Sequence, residues 1–588
     1  MQHLHDAVAT AVRTALAERG QDMEREAIDE LLEFPQKREL GDVAFPCFAL
    51  AKVLRQAPPK IAAELAASIA AEAPIARVEA AGPYLNFYAD CSAVLASLLG
   101  ALDDGSFDAS ARTAAPQKVM IEFSQPNTHK VFHVGHLRNV AVGDALQRVH
   151  RLRGHDVVAA NYYGDFGIDV AKCLWGLETR ADRTPPETDR CTWLGKIYVE
   201  ANDRIKAAKE EGGDALPTIM ARLKEILELI KAGDPELSER YQTTRDWCLD
   251  EFAEIYRWLD VHFDRDFFES DLEEPAQAIV DRFLESGVFV PSQGAIICDL
   301  EEEGLGAALV RKTDGTSLYL TWDLYLAQVK FEEYEVERSL YVVGTEQSHH
   351  FRQLFATLAR MGYERAADCR HVPYELVMLP EGKMSSRAGN VVYFEALRAS
   401  ITAAIEDKMR SGDGPERSGW SEEHWNETVH RVTLACLRYG MLKASNTTRV
   451  VFDLDAWTSP EGNTGAYLLY GLARASSILR KADAPKSADL AGAAASSEDF
   501  GVDAERMLLG HLMLYPRTLA AVERTCDPSL LATYVYEGAK LFSRFYHDCP
   551  VLQAESPVRE ARLGLVHAGR EILGRGLQAI GIEPVDEM

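Results

Sequence analysis

The sequence lacks the features that mark several specialised classes of protein. Its ten cysteines include no CxxC pair, so neither a zinc site nor a disulfide framework is expected. No uninterrupted apolar stretch approaches the roughly 18–20 residues of a membrane span. The N-terminal segment lacks the basic start, apolar core and small-residue cleavage site of a secretory signal. We therefore expect a cytoplasmic protein without a membrane partner.

An excess of basic charge is also missing, because the net charge is −28. That balance argues against a protein that coats DNA or RNA through bulk attraction. It leaves room for a local basic groove, since charges act on phosphates only within a Debye length of about 8–10 Å. The 588 residues, 47% of them hydrophobic, are enough for several globular domains.

Residues 1–112 predict an N-terminal α+β domain. Helices are expected from about Val8 to Arg19, from about Val43 to Leu54, and over PPKIAAELAASIAAEA. In VEAAGPYLNFYAD, the adjacent Gly82 and Pro83 predict a turn between two strands. The small, polar segment GSFDASARTAAPQK predicts a linker.

Residues 113–425 predict a doubly wound, Rossmann-like α/β domain. The buried strand KVMIEFS, a helix from His136 to about Leu152 and the strand DVVAANYYGD follow one another, as in a parallel sheet. Further buried strands are expected at 339–344 and 374–379. A helical insertion is expected over about 185–290.

Residues 426–588 predict an all-α domain, because apolar residues recur there at helical spacing. A small-residue loop interrupts the helices around 482–503. Tyr467, Tyr470, Tyr534 and Tyr536 are candidates for stacking on splayed RNA bases, although aromatic residues at helical spacing more often lie in a core.

A His-x-Gly-His motif, formed by His133, Gly135 and His136, follows a strand and begins a helix. A helix N-terminus presents unpaired N–H groups to phosphate, and glycine lets a flat base approach the backbone. The two imidazoles can donate hydrogen bonds to phosphoryl oxygens as charge develops. Histidines with a purely structural role at a helix start would give the same pattern.

A second motif, Lys383-Met384-Ser385-Ser386-Arg387, lies in a loop after the strand predicted at 374–379. A mobile loop that carries cations can close over a triphosphate and neutralise the departing pyrophosphate. Taken alone, the motif is equally typical of a solvated surface loop.

Together the two motifs resemble the HIGH and KMSKS signatures of class I aminoacyl-tRNA synthetases. The neighbouring segments narrow the resemblance to the arginyl-tRNA synthetase family. It extends from GDVAFPCFALAK near the N-terminus to the C-terminal helices, and so covers nearly the whole chain. The segments that carry it are IEFSQPNTHKVFHVGHLRN, LYLTWDLYLA, YVVGTEQSHHF and EGNTGAYLLYGLAR.

The resemblance implies a site for each part of the substrates. Glu122 and Asp323 match the acids that hold the arginine guanidinium, which suits a planar five-donor cation. The remaining arginine-pocket residues implied are Ser124, Asn127, Tyr319 and Gln347. Gly135 would lie under the adenine, and Met384, Ser385 and Ser386 would border ATP. The implied catalytic groups are His133, His136, Lys130, Lys383 and Arg387.

Lys130 has a particular place in this resemblance. The second lysine of the KMSKS pattern is Ser386 here, and Lys130, just upstream of the first motif, occupies the place of a compensating lysine. The sequence departs from the family pattern elsewhere. Asp169 stands where Gln is usual, and Glu375 stands where Gly is usual.

The function implied is that of an arginine–tRNA ligase, with ATP as substrate, Mg²⁺ on the phosphates and tRNA(Arg) as partner. The family also implies a monomer, activation that requires bound tRNA, an added N-terminal tRNA-binding domain and an anticodon-binding C-terminal domain. No resident metal site is expected.

Three alternatives stay open. A class I synthetase for another amino acid would have to tolerate two acids in its substrate pocket. A non-catalytic paralogue would bind tRNA without forming an adenylate, although the intact histidines and Lys130 argue against it. A nucleotidyltransferase with the same His-x-Gly-His motif would not need the long helical C-terminal segment.

Overall fold

A computed structural model describes residues 2–33, 35, 40–313, 318–379, 382–383, 392–411, 419–484, 487–495 and 500–588. Within these ranges the chain folds into a small N-terminal α+β unit, a parallel α/β unit and a C-terminal helical unit. No helix in the described ranges is both long enough and apolar enough to cross a membrane.

The N-terminal unit is built around a three-stranded antiparallel sheet in the order β1-β3-β2. The predicted hairpin at Gly82 is present, since β2 and β3 pair from Ile75 to Ala89. Its elements are α1 (Gln2–Ala17), α2 (Arg25–Leu31), β1 (Val43–Pro46), α3 (Ala51–Leu54), α4 (Pro58–Ser68), β2 (Ile75–Ala81), β3 (Tyr84–Ala89), α5 (Cys91–Asp103) and α6 (Ser106–Ser110).

Two predictions for this unit are wrong. A helix was expected from Val43 to Leu54, but Val43–Pro46 is a strand, followed by a 3₁₀ turn and only one turn of α-helix. The segment is apolar enough for either state, and pairing with β3 decides for the strand, because it buries all four residues. The expected linker contains the short helix α6, which buries Phe107.

The central unit carries a five-stranded parallel sheet in the order β11-β10-β4-β5-β6, which confirms the doubly wound fold. The chain order reverses between β4 and β10, so their carboxyl ends flank the crevice where such sheets bind ligands. The elements around this crevice are β4 (Lys118–Glu122), α7 (Val134–Leu152), β5 (Asp156–Tyr163), α8 (Ile168–Glu178), β6 (Arg265–Phe268), α13 (Tyr319–Glu332), β10 (Arg338–Gly344), α14 (Ser348–Arg360) and β11 (Cys369–Tyr374).

The region expected as a helical insertion is more varied than predicted. Three helices do pack together between α8 and β6, but β6 itself belongs to the main sheet, and an antiparallel sheet of β7, β8 and β9 follows. These elements are α9 (Arg190–Glu211), α10 (Ala215–Lys231), α11 (Pro235–Trp258), α12 (Glu269–Glu285), β7 (Phe289–Ser292), β8 (Ala295–Leu300) and β9 (Gly306–Arg311).

The strand expected at 374–379 is divided between two sheets. β11 ends at Tyr374, and the N–H of Glu375 donates to the carbonyl of Asn446 at 2.8 Å. The chain therefore exchanges one strand partner for another, and β12 pairs with β13 and β14. The elements are β12 (Val377–Leu379), β13 (Gly382–Lys383), α15 (Phe394–Ser411) and β14 (Val450–Val451).

The C-terminal unit is helical, as predicted, and packs on the central unit through α16. Arg438 of α16 and Asp144 of α7 form a buried ion pair at 2.6 Å across this contact. The helices are α16 (Glu422–Leu442), α17 (Leu454–Thr458), α18 (Gly465–Lys481), α19 (Ser487–Ala495), α20 (Asp503–Leu512), α21 (Tyr515–Thr525), α22 (Ser529–Asp548) and α23 (Val558–Ala579).

Candidate active site

The His-x-Gly-His segment forms the N-terminus of α7, in the crevice beside β4. The Gly135 N–H donates to Nδ1 of His133 at 3.1 Å, and the His133 N–H donates to Nδ1 of His136 at 3.2 Å. The two rings stack at 3.9 Å. Because both Nδ1 atoms accept, the proton of each neutral ring resides on Nε2, where it is available to a ligand.

The environment keeps both imidazoles neutral. Burial, with a smaller effect from Lys130, lowers the pKa of His133 to about 4. Burial, His133 and Lys130 hold the pKa of His136 well below its usual value. At neutral pH the pair consists of hydrogen-bond donors and carries no charge. Gly135 cannot be larger, because a Cβ there would lie 2.9 Å from Cε1 of His133.

The chain at the first motif contacts the chain that follows the second motif. The Val134 N–H donates to the Val392 carbonyl at 3.1 Å, and the Phe394 N–H donates to the Phe132 carbonyl at 3.1 Å. The chain that follows the second motif is thus hydrogen-bonded to the chain that begins α7. Lys383 lies in β13, opposite Met378, while the predicted site residues Met384, Ser385, Ser386 and Arg387 lie outside the described residues.

Lys130 is held by an acidic partner at the start of α8. Its Nζ lies 2.6 Å from Oδ2 of Asp169, and Nζ of Lys172 lies 2.9 Å from Oδ1 of the same carboxylate. Burial opposes ionisation of Asp169, but the two lysines outweigh it and bring its pKa to about 2. The residue that departs from the family pattern therefore contacts the proposed compensating lysine.

Glu122, at the end of β4, is buried and already neutralised. Its Oε2 lies 2.7 Å from Nζ of the fully buried Lys330, and its Oε1 accepts a hydrogen bond from Gln125 at 3.0 Å. The Lys330 ammonium also lies 3.7 Å from the ring centre of Tyr341. Each carboxylate oxygen thus has one polar partner, so Lys330 and Gln125 hold Glu122 in place at the end of β4.

Asp323 and Tyr319 lie on the first turns of α13. Oδ2 of Asp323 is 2.7 Å from Nε2 of His350, and burial lowers the pKa of this histidine less than Asp323 raises it. Tyr319 is 57% exposed, with its ring edge-on to Trp322. Burial of its hydroxyl and the nearby Glu269 raise the pKa of Tyr319 to about 12.

Glu269 is a pocket residue that the sequence reasoning missed. It begins α12 directly after β6, is 4% exposed, and has no hydrogen-bond or ion-pair partner among the described residues. Burial and the charges of Asp165 and Asp323 raise its pKa well above the usual value. Burial and the charges of Glu269, Asp323 and Glu122 raise the pKa of Tyr162 well above its usual value, so all three carboxyls act on the same hydroxyl. An acid directly after a strand of the parallel sheet was the available signal.

The other predicted pocket residues have different surroundings. Ser124 is buried, with its hydroxyl 2.7 Å from that of Tyr256, so it supports the turn. Asn127 bridges to Gly164, where a Cβ would lie 2.4 Å from the Asn127 Oδ1. Gln347 is exposed at the end of the 3₁₀ turn that follows β10, at the rim of the crevice.

The aromatic candidates in the C-terminal unit separate into two sets. Tyr534 is buried against His511 at 4.5 Å, so it is unavailable to RNA. Tyr467 and Tyr536 are half-buried and pack edge-on. Tyr470 is 44% exposed, as is Tyr546, which was not predicted. The guanidinium of Arg474 lies over both of these exposed rings, at 4.8 and 5.1 Å.

A doubly wound parallel sheet with a His-x-Gly-His turn after β4, beside its switch point, defines a class I aminoacyl-tRNA synthetase fold. A family model described as "tRNA synthetases class I (R), catalytic domain" matches residues 101–454. An "Arginyl tRNA synthetase N terminal domain" matches residues 2–89, and a "DALR anticodon binding domain" matches residues 468–588.

Known proteins match this sequence over almost its full length. An arginine–tRNA ligase of Bdellovibrio bacteriovorus is 37% identical over 94% of this chain and 93% of its own. One of Streptococcus pneumoniae is 35% identical over 98% of this chain and 99% of its own. The arginyl-tRNA synthetase structure of Thermus thermophilus matches with a TM-score of 0.79, 25% identity and full coverage of both chains. The chain belongs to the arginyl-tRNA synthetase family.

Proposed function

We propose that this chain is an arginine–tRNA ligase that uses the crevice between β4 and β10 for both of its chemical steps. The observation that carries the proposal is the contact of the His-x-Gly-His turn with the chain that follows the second motif, in a crevice to which β4, α12 and α13 bring Glu122, Glu269 and Asp323. A pocket of that charge suits a guanidinium and penalises a neutral side chain.

In the first step the arginine carboxylate attacks the α-phosphorus of ATP, and the bond to the β-phosphate oxygen breaks. The Nε2–H groups of His133 and His136 donate to phosphoryl oxygens, and Lys130 supplies positive charge. Lys383 and Arg387 are proposed to neutralise the departing pyrophosphate, with Met384, Ser385 and Ser386 along the nucleotide. The protein acts here by positioning and electrostatics, without a covalent intermediate of its own.

Mg²⁺ is proposed to enter on the nucleotide phosphates, as part of the substrate MgATP. Among the described residues no group of three or more His, Cys, Asp or Glu side chains is arranged to hold a metal ion. The charge of Lys130 acts on both histidines, and Lys172 shares its carboxylate partner Asp169. The positive charge of both lysines suits the phosphates, and the metal ion would share in neutralising them.

The guanidinium is proposed to lie between Asp323 and Glu269, with Glu122 and its partner Lys330 behind them. Asn127 and Gln347 would face the α-amino and carboxylate end, and Tyr319 would cover the pocket. Ser124 would act only through the shape of its turn. This arrangement turns Asp323 and Glu269, which have fewer polar partners than Glu122, toward the substrate.

In the second step a hydroxyl of the terminal tRNA adenosine takes the arginyl group and AMP leaves. Residues 1–112 and 426–588 are proposed as the tRNA-binding and anticodon-binding domains around the 113–425 catalytic domain. A cytoplasmic monomer is proposed on the family resemblance, and sedimentation of the purified chain tests the monomer.

The test is ATP–pyrophosphate exchange with each of the twenty amino acids, with and without total tRNA. Exchange with arginine alone, and only with tRNA present, is the expected result. Exchange with another amino acid would assign a different specificity. Binding of tRNA without any ATP–pyrophosphate exchange would favour the non-catalytic paralogue.

A further inference from the structure

We infer that Asp169, together with Lys172, is a positioning residue for Lys130. The inference rests on the proposed function, because it concerns how Lys130 is presented to ATP. Each oxygen of the Asp169 carboxylate holds one lysine, at 2.6 Å for Lys130 and 2.9 Å for Lys172. Both ammonium groups also lie over the ring of Tyr198, at 5.3 and 5.8 Å.

The location of Lys130 makes its orientation important. It precedes the His-x-Gly-His turn, and its charge lowers the pKa of both His133 and His136. It also lowers the pKa of Glu269 in the acidic pocket. The Lys130 ammonium therefore acts both on the turn that would receive the phosphates and on the pocket that would receive the guanidinium.

A lysine side chain loses considerable rotamer freedom when it is fixed. Anchoring on Asp169 fixes Lys130 before ATP arrives, which lowers the cost of ordering it during the reaction. Lys172 makes the transfer of Lys130 to phosphate possible, because Asp169 keeps one cation when Lys130 turns away. Two lysines and one carboxylate leave a local charge of one positive unit for the phosphates.

A glutamine at position 169 would act differently. Its amide oxygen accepts a hydrogen bond but carries no charge, so the two lysines would repel each other and Lys130 would lose its anchor. The local positive charge would rise, which favours ATP in the ground state. Placement of Lys130 for the transition state would be poorer.

The experiment is a double-mutant cycle of Asp169→Gln and Lys130→Gln, measured by arginine-dependent exchange with saturating tRNA. Asp169→Gln is expected to lower kcat about threefold to tenfold without raising KM for ATP. In the Lys130→Gln background the same change should have less than a twofold effect, because the residue acts through the lysine. Lys172→Gln should raise KM for ATP, because Asp169 then retains Lys130.

Glu178→Gln is the matched control, since Glu178 ends the same helix and pairs with Arg222 at 2.6 Å. It should leave kcat and KM within twofold of the native values. Effects of Asp169→Gln and Lys130→Gln that simply multiply would overturn the inference, as would an unchanged kcat in Asp169→Gln. Native enzyme without arginine-dependent exchange would instead overturn the proposed function itself.

Discussion

At the scale of single residues, the site combines two neutral histidines, which can donate hydrogen bonds, with three carboxyls that differ in the partners they already have. His133 and His136 are neutral at physiological pH because burial lowers the pKa of each ring. Of the three acids in the pocket, Glu122 pairs with Lys330, Asp323 pairs with the titratable His350, and Glu269 has no ion-pair partner among the described residues. Arginine binding should therefore respond to pH through His350, the partner of Asp323, and through Glu269.

The first prediction concerns His350. Its pKa is raised by Asp323, so the imidazolium persists to higher pH than in a free histidine and competes for the carboxylate. KM for arginine should rise severalfold as pH falls through that pKa. Glu269 adds a trend of the same sign, since its carboxyl must lose a proton to face a guanidinium.

His350→Gln separates the two contributions and should flatten the steeper part of the profile. His349→Gln, at the exposed neighbouring position, is the control and should leave the profile unchanged. Burial and the charge of His350 lower the pKa of His371, so His371 takes up its proton at lower pH than His350 does. A His350→Gln enzyme with the native pH profile would show that His350 does not compete with arginine for Asp323.

The second prediction concerns Glu269. Glu269→Gln keeps the size of the side chain but removes the charge that would pair with the guanidinium. KM for arginine should rise about tenfold to a hundredfold, the range for a charge-assisted hydrogen bond of about 1.5–3 kcal/mol. KM for ATP should be unchanged. Equal increases in both constants would indicate a general disturbance of the crevice.

At the scale of elements, α7 connects the site to the helical unit. Its first turn carries the proposed catalytic residues His133 and His136, and its buried Asp144 pairs with Arg438 of α16. Arg438 also donates to the Leu259 carbonyl at the end of α11, so one guanidinium joins three helices. Burial opposes ionisation of Asp144, but Arg438 and Arg148 outweigh it and lower its pKa.

The third prediction follows from this contact. Arg438→Met leaves the Asp144 carboxylate buried without its main partner, which should lower the free energy of unfolding by about 3–5 kcal/mol. Arg410→Met removes an exposed pair with Glu406 and should cost under about 1 kcal/mol. Urea unfolding of both variants beside the native chain measures the difference. Similar shifts in the two variants would contradict the argument.

The elements also show where sequence reasoning succeeds and where it fails. The path from β4 through the His-x-Gly-His turn into α7 is predicted, because buried strand, glycine turn and helix periodicity are local signals. The strand at Val43–Pro46 and the division at Tyr374 are not predicted. In both cases the choice of a strand partner far along the chain decides the structure, and no local pattern encodes it.

At the scale of the whole molecule, a protein with a net charge of −28 has to bind a polyanion. The exposed patch formed by Tyr470, Arg474 and Tyr546 offers stacking in addition to charge. Arg474 donates to the Tyr470 hydroxyl at 3.0 Å, so the three side chains are pre-ordered. Splayed anticodon bases are the chemistry that such a platform suits.

The fourth prediction tests this patch. Tyr470→Ala or Tyr546→Ala should raise KM for tRNA about fivefold to a hundredfold, as expected for the loss of one base stack of about 1–3 kcal/mol. KM for arginine and kcat at saturating tRNA should stay within twofold. Tyr534→Phe, a buried position on the same helix as Tyr546, should not change KM for tRNA. Native tRNA affinity in both alanine variants would remove the patch from the interface.

The sequence by itself determined the fold class, the family and the two signature motifs, because these depend on local periodicity and on short segments with fixed spacing. Only the tertiary structure decided which charges compensate one another. Lys330 with Glu122, His350 with Asp323, and Lys172 with Lys130 on Asp169 are pairings between different elements or across a turn. Whether a carboxyl is free to bind arginine depends on the charge within a few ångströms, and that distance is set by packing.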